Sequence, residues 1–497
     1  MYTKLRIIIA AICFALITFL FLDFTGVVHT WFGWLAKMQF FPAVIASNIM
    51  IGGIIVCLTL LFGRVYCSTL CPLGVFQDMI SWIAGKKTKN RFSYTSSINP
   101  LRYSILVVFV VAIAMGSSLL IALLEPYSAY GRIVSSLFAP IYMWGNNVLA
   151  YFAERMNSYA FYSVDVWMKS SITFIIAFLT FTVLVVLAWK KGRLYCNTIC
   201  PLGTVLGVLS KYSLFKFHIN EGECTHCGLC EKNCKASCIN AGAGTIDHSR
   251  CVSCFNCIDT CPQGGLQYKI FRTKKNSVET VKEELDEKRS ARRKFLTISA
   301  IFGIAFARKA YAKDFDGGLA ILKAKKKPER LTPIVPPGSL SIKNLRKHCT
   351  ACQLCISVCP NNILYPSSDM ASLMQPFMSY ERGYCRPECT KCSEVCPTGA
   401  IHKISSADKS AIQIGHAVWK KDLCIVNRDK VSCDNCARHC PTGAILMAPQ
   451  SSADPLSLKI PMIDESRCIG CGACENLCPA RPYSAIYVEG HERHKTV

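Results

Sequence analysis

The sequence predicts a mixed fold: an α-helical transmembrane bundle followed by two α+β modules organised around cysteines. Three observations carry this reading. Apolar residues crowd into long runs before Lys190, while most cysteines follow Cys196. Many of the 31 cysteines stand in groups of four, spaced two or three residues apart. A Lys- and Pro-rich stretch, "KAKKKPERLTPIVPPGS", divides those groups into an earlier pair and a later four.

The bundle occupies residues 1–212. Leu5–Leu22, Pro42–Phe62, Ile105–Leu124 and Ile172–Trp189 are each close to the ~20 apolar residues that a bilayer requires. A further stretch, Ile133–Phe152, contains Pro140, Asn146 and Asn147 and reads as an interfacial or re-entrant helix. Basic loops set the orientation, because Lys and Arg favour the cytoplasmic side. "MYTKLR", the loop from Arg64 to Arg102 and "WKKGRLYC" are all basic. Asp23–Phe41 and Glu125–Ser170 then fall outside, and four spans return the chain to the cytoplasm at Lys190.

Two predicted cytoplasmic ends share one frame. "GRVYCSTLCPLG" at Gly63–Gly74 recurs as "GRLYCNTICPLG" at Gly192–Gly203, an internal repeat of span plus loop. The repeat is expected to bring Cys67, Cys71, Cys196 and Cys200 to one membrane face. Four thiolates there could bind a cluster or another soft metal ion. A pair of redox dithiols or a docking loop would use the same residues.

The first cysteine-rich module is predicted at 213–273. Cys224, Cys227, Cys230 and Cys234 form one run, and Cys251, Cys254, Cys257 and Cys261 form the next. C-x2-C-x2-C-x3-C twice is the spacing of two-cluster bacterial ferredoxins, in which the fourth cysteine of each run ligates the other cluster. The expected fold is therefore ferredoxin-like, built on [4Fe-4S] clusters. Cys234 is followed by Lys235 rather than proline, and Cys238 stands close by. The standard spacing favours Cys234 as the ligand.

Residues 274–312 read as a charged linker leading into "RRKFLTISAIFGIAFA", a twin-arginine-like anchor helix with "AYA" at Ala310–Ala312 as a cleavage-like site. Residues 313–340 form the Lys- and Pro-rich linker. The second module, 341–497, carries four runs: Cys349, Cys352, Cys355 and Cys359; Cys385, Cys389, Cys392 and Cys396; Cys424, Cys433, Cys436 and Cys440; Cys468, Cys471, Cys474 and Cys478. Each ends in Cys-Pro. The second and third runs depart from the standard spacing at their start. Outer runs are expected to pair with outer, and inner with inner.

Composition excludes several classes. Close-set cysteines in so long a chain argue against a disulfide scaffold. The net charge of +24 would suggest nucleic acid in a soluble protein. Here basic loops and cluster thiolates account for it, six four-thiolate cubanes offsetting roughly half. His29 is the only histidine before His218, and C-x-x-C-H is absent, so neither a bis-histidine nor an attached haem is expected.

The CPLG repeat, "LEPYSAYGR" at Leu124–Arg132 and the two-cluster module together resemble the NapH-type membrane ferredoxins, relatives of the membrane parts of NosR and CcoG. "RRKFL", "VPPGSL", the four later runs and "IYVEGHERH" resemble the NapG/MauM-type exported ferredoxins. Together the chain resembles a fusion of the two. The resemblance implies passage of electrons from the quinol pool to a periplasmic reductase, across a bacterial inner membrane. Residues 213–290 would then be cytoplasmic and 313–497 periplasmic. His29 and Glu125, at outer ends of spans, are candidate proton acceptors for quinol, with a solvated loop residue and a helix cap as the simpler readings. The alternative is a redox maturation factor for a periplasmic or membrane metalloenzyme. A redox sensor using Cys238 or the CPLG dithiols has no reporting motif to act through.

Overall fold

The structure is a computed structural model that describes residues 2–23, 25–87, 92–158, 160–270, 324–451 and 454–496. The predicted twin-arginine helix and its linker, with the start of the Lys- and Pro-rich segment, lie outside the described residues.

Among the described residues, two helices are long and apolar enough to cross a membrane, Tyr2–Leu22 and Ser171–Lys191. Each has 21 residues, about 31 Å of helix, close to the hydrocarbon thickness of a bilayer. The second begins where the Ser170 hydroxyl accepts from Thr173 N (3.5 Å) and ends at Gly192, φ 58°. The other two predicted spans are broken. Pro42–Phe62 divides into Phe40–Ile45 and Ile49–Phe62, because Ser47 takes the left-handed conformation (φ 55°) and Asn48 restarts the helix by accepting from Ile51 N. Ile105–Leu124 divides at Gly116 (φ 69°) into Asn99–Ala114 and Ser118–Leu124. Apolar composition fixes the length of such a run, while one left-handed residue ends its hydrogen-bond ladder.

The stretch expected as an interfacial or re-entrant helix from Ile133 starts earlier. Helix Pro126–Ile133 passes through a π-turn at Val134–Phe138 into Ala139–Arg155. Pro126–Val134 is buried between the two long helices. Tyr130 hydrogen-bonds Thr18 (2.6 Å), Tyr127 packs on Phe21, and Phe138 packs edge-on against Phe181.

Residues 213–270 carry β1 (Phe215–Ile219), β2 (Ile239–Asn240), β3 (Thr245–Ile246) and β4 (Leu266–Ile270). β1 pairs antiparallel with β4 and β2 with β3. Phe217, Phe255 and Tyr268 pack beneath the β1–β4 ribbon.

Residues 324–496 carry β5 (Leu364–Pro366), β6 (Pro376–Met378), β7 (Ile412–Trp419), β8 (Ile445–Ser451), β9 (Asp454–Ile463) and β10 (Ile486–Thr496). β5–β6 and β8–β9 are antiparallel hairpins, and β10 returns to pair with β7, Ile486 opposite Trp419.

The two cysteine-rich units sit at opposite ends of the long helices. Thr3 donates to Phe255 O and Arg193 N to Lys235 O (2.9 Å), so the first unit meets the start of Tyr2–Leu22 and the end of Ser171–Lys191. Lys391 Nζ donates to Thr25 O (3.2 Å) and Lys169 Nζ to Ile356 O (2.9 Å), so the second unit meets the other two ends. One buried core continues from Ile17, Tyr66 and Tyr130 into Leu354, Ile414 and Val488.

Candidate metal centres

In the first unit, one cavity is lined by Cys224, Cys227, Cys230 and Cys261. A second is lined by Cys234, Cys238, Cys251, Cys254 and Cys257. The last cysteine of each run thus crosses to the other site, as the spacing predicts. Cys234 and Cys238 both reach the second cavity, with their sulfurs 3.5 Å apart. Cys234 follows Cys230 at the same spacing as Cys261 follows Cys257.

In the second unit, three cavities are lined by Cys359, Cys385, Cys389 and Cys392; by Cys424, Cys433, Cys436 and Cys478; and by Cys440, Cys468, Cys471 and Cys474. A fourth group forms where Cys355 faces Cys349, Cys352 and Cys396. Exchange therefore joins the first run to the second and the third to the fourth. The expected outer-with-outer pairing is incorrect. The reason is local: the β5–β6 hairpin folds the first two runs together, and β8–β9 does the same for the last two.

The backbone around these cysteines suits an anionic cofactor. In each regular run, left-handed residues flank the second cysteine. They are His226 and Gly228 around Cys227, Ser253 and Phe255 around Cys254, Ala351 and Gln353 around Cys352, and Gly470 and Gly472 around Cys471. Alternating right- and left-handed residues turn successive N–H groups inward, the nest geometry found at iron–sulfur sites. Amides also reach the sulfurs directly: Ala351 N to Cys349 (3.4 Å), Ile401 N to Cys396 (3.4 Å), Ala444 N to Cys440 (3.3 Å) and Ala485 N to Cys478 (3.3 Å). Among the described residues, no three His, Cys, Asp or Glu side chains stand at single-ion spacing.

Two lysines, Lys409 buried and Lys325 half-buried, hold the cysteine loops. Lys325 Nζ donates to the carbonyls of Glu475, Asn476 and Cys478 at 2.7–3.1 Å, and burial lowers its pKa to about 8. Lys409 Nζ donates to Arg386 O and Cys389 O. Each places a cation beside a site that would carry net negative charge. Sequence reading missed these lysines, since nothing in their local sequence marks them as partners of the cysteine loops.

The CPLG repeat folds as two matching helical hairpins. Val65–Thr69 turns at Cys71 into Pro72–Lys87, and Leu194–Thr198 turns at Cys200 into Pro201–Ser210. Cys71 N and Cys200 N donate to Tyr66 O and Tyr195 O, both at 3.0 Å. The arginines of the repeat are exchanged. Arg64 donates to Cys196 O (3.2 Å) and Asn197 Oδ1 (2.9 Å), while Arg193 donates to Cys67 O (2.7 Å) and Asp78 Oδ1 (2.8 Å). The structure brings Cys67, Cys71, Cys196 and Cys200 together, all buried.

Glu125 caps helix Pro126–Ile133, accepting from Tyr127 N and Ser128 N, which is its simpler reading. His29 lies on helix Val27–Phe32 beside Asp23; it is partly buried rather than solvated, and burial lowers its pKa.

The profile of the 4Fe-4S binding domain matches residues 44–91 and 173–220, one CPLG frame in each, and that of the 4Fe-4S dicluster domain matches residues 431–481. An uncharacterized protein of Methanocaldococcus jannaschii is 31% identical over 96 residues, 19% of this chain and 38% of its own length. The ferredoxin-type protein NapH of Haemophilus influenzae is 25% identical over 235 residues, 45% of this chain and 67% of its own. The methylamine utilization ferredoxin-type protein MauM of Methylobacillus flagellatus is 32% identical over 166 residues, 32% of this chain and 70% of its own. No solved structure matches the chain. NapH and MauM are ferredoxin-type proteins by name, and the two apolar helices together with the likeness to NapH point to a membrane-associated protein. With its cysteine nests and its likeness to MauM, the chain belongs to the MauM family of ferredoxin-type, iron–sulfur electron-transfer proteins.

Proposed function

We propose that this protein is a bacterial inner-membrane electron-transfer protein that draws electrons from (mena)quinol and delivers them to a periplasmic reductase. In this reading it joins a NapH-type membrane ferredoxin to a NapG/MauM-type polyferredoxin in one chain. The first unit is cytoplasmic and holds two [4Fe-4S] clusters, and the second is periplasmic and holds four. The six sites are the cysteine groups described above, with Cys234 completing the second. When bound, the clusters supply one-electron carriers.

The observation that carries this reading is the presence of cysteine nests at both ends of helices about 31 Å long. A protein working on one side only would have no use for both. The chain's own residues prepare each site: left-handed residues aim amides at sulfur, and Lys325 and Lys409 supply positive charge. Quinol oxidation releases protons with its electrons. Glu125 is engaged as a helix cap, which leaves His29, kept neutral by burial, as the better candidate acceptor.

The test adds a reduced menaquinol analogue to the anaerobic, purified full-length protein and follows the visible and paramagnetic signals of the clusters. Reduction of clusters on the quinol time scale is expected. If none is reduced, direct quinol oxidation is wrong, and the maturation-factor reading takes its place.

A further inference from the structure

The CPLG hairpins create a buried site whose charge is unbalanced. Cys67, Cys71, Cys196 and Cys200 are each 4–6% exposed, inside the core of the helical half. Neutral thiols in such a core need no counter-charge. Yet Arg64 and Arg193, beside them, are fully buried, and Arg132, on the far side of Tyr195, is 1% exposed. Arg193 is paired with Asp78, which also serves Arg6 (3.2 Å) and Lys235 (3.6 Å). Arg64 finds only neutral acceptors, at Asn197, Ser249 and Cys196. All three guanidinium nitrogens of Arg132 are buried without a hydrogen-bond partner. Its nearest anion, Glu125, already accepts from two backbone amides. An interior with surplus cations is strongly disfavoured unless an anion joins them.

Position gives the second line of argument. Asp78 and Lys235, beside Arg193, also face Cys254 of the first unit. On the other side, Cys200 faces Tyr195, and Tyr195 faces Arg132 and Glu125. Arg132 in turn faces Cys352 of the second unit, whose carbonyl packs against Gly131. The four cysteines therefore lie between the Cys254 site and the Cys352 site. No three of them stand at single-ion spacing, and the 4Fe-4S binding profile covers both hairpins.

We propose that Cys67, Cys71, Cys196 and Cys200 hold a seventh [4Fe-4S] cluster within the helical half, balanced by Arg64 and Arg193, linking the two units electrically. The site gives one chain a continuous route between its faces, with no haem and no partner subunit. It needs only the cysteine sites at both ends and stands independently of whether quinol is the donor. Cys71 and Cys200 share the turns before Pro72 and Pro201, so serine at both removes two ligands and leaves the hairpin backbone intact.

The experiment compares the anaerobically purified full chain with its Cys71→Ser/Cys200→Ser variant, using Cys57→Ser as a control on an exposed cysteine of helix Ile49–Phe62. Iron, acid-labile sulfide, copper and zinc per chain are measured, with Mössbauer and paramagnetic spectra. The double variant is expected to lose about four irons and about four sulfides, the control none. If the double variant fails to accumulate, the unaltered chain still decides: about 28 irons support the proposal and about 24 overturn it. Equal iron and sulfide in double variant and parent, or copper or zinc lost in place of iron, would also overturn it.

Discussion

The pair of left-handed residues around Cys227, Cys254, Cys352 and Cys471 is where sequence becomes chemistry. Only some are glycine; His226, Ser253, Phe255, Ala351 and Gln353 hold φ values of 49–67° against their Cβ atoms. A folded chain keeps such strain where the surrounding structure requires the conformation. Gly472 cannot be replaced so freely, since a Cβ there would meet the Tyr380 ring. Beside Cys254, the crossing ligand can be tested directly. Cys234→Ser should lose about one cluster's iron and Cys238→Ser should not, as read by iron per chain. The cysteine runs were legible from spacing alone, whereas the nests were not, because nothing in "THC" or "TAC" announces a positive φ. A titration adds a second test. His494, on β10, is half-buried with neither ring nitrogen partnered, and burial, with His491 nearby, lowers its pKa from 6.5 to about 4. Its neutral form is the folded one, so the unfolded chain binds the extra proton between these values. Stability should be fully present above pH 6.5 and decline as pH falls towards 4. In His494→Gln that slope should flatten, as followed by thermal unfolding of the C-terminal unit.

At the scale of elements, the CPLG hairpins depend on close backbone approach. A Cβ at Gly203 would strike Cys196 O and come within 3.0 Å of Arg64, and one at Gly74 would strike Cys67 O and Arg193. Gly203→Ala should therefore destabilise the protein by about 1–3 kcal/mol. Gly85→Ala, with nothing within 4 Å, should leave it unchanged in the same melting assay. The repeat itself was plain in the sequence as one frame written twice. Its exchanged arginines were not, since "GR" precedes either cysteine pair without saying which pair it serves. Element order also explains the misjudged pairing of the later runs. Spacing names four ligands per run, but the hairpins β5–β6 and β8–β9 decide which runs meet. The broken spans show the same limit, because hydropathy does not register the turn at Ser47 or Gly116.

At the scale of the whole molecule, Asp78 ties the first unit to the helical half, gathering Arg6, Arg193 and Lys235 from three parts of the chain. Asp78→Asn leaves those cations without their shared anion. It should cost about 3–5 kcal/mol and make the first unit more susceptible to proteolysis. The opposite unit is docked by Lys169 on Ile356 O, Arg382 over Trp167 (4.5 Å) and Trp167 against Tyr365 (4.9 Å). These contacts hold cysteine sites at both ends of one helical scaffold, and the central claim is that electrons pass between them. The direct measurement reconstitutes the full-length protein in sealed vesicles with one orientation selected, and adds a membrane-impermeant reductant from outside. Reduction of clusters in both units, read by their paramagnetic signals, is predicted, and in Cys71→Ser/Cys200→Ser only the exposed unit should respond. If the intact protein is reduced only in the unit facing the reductant, the account is contradicted.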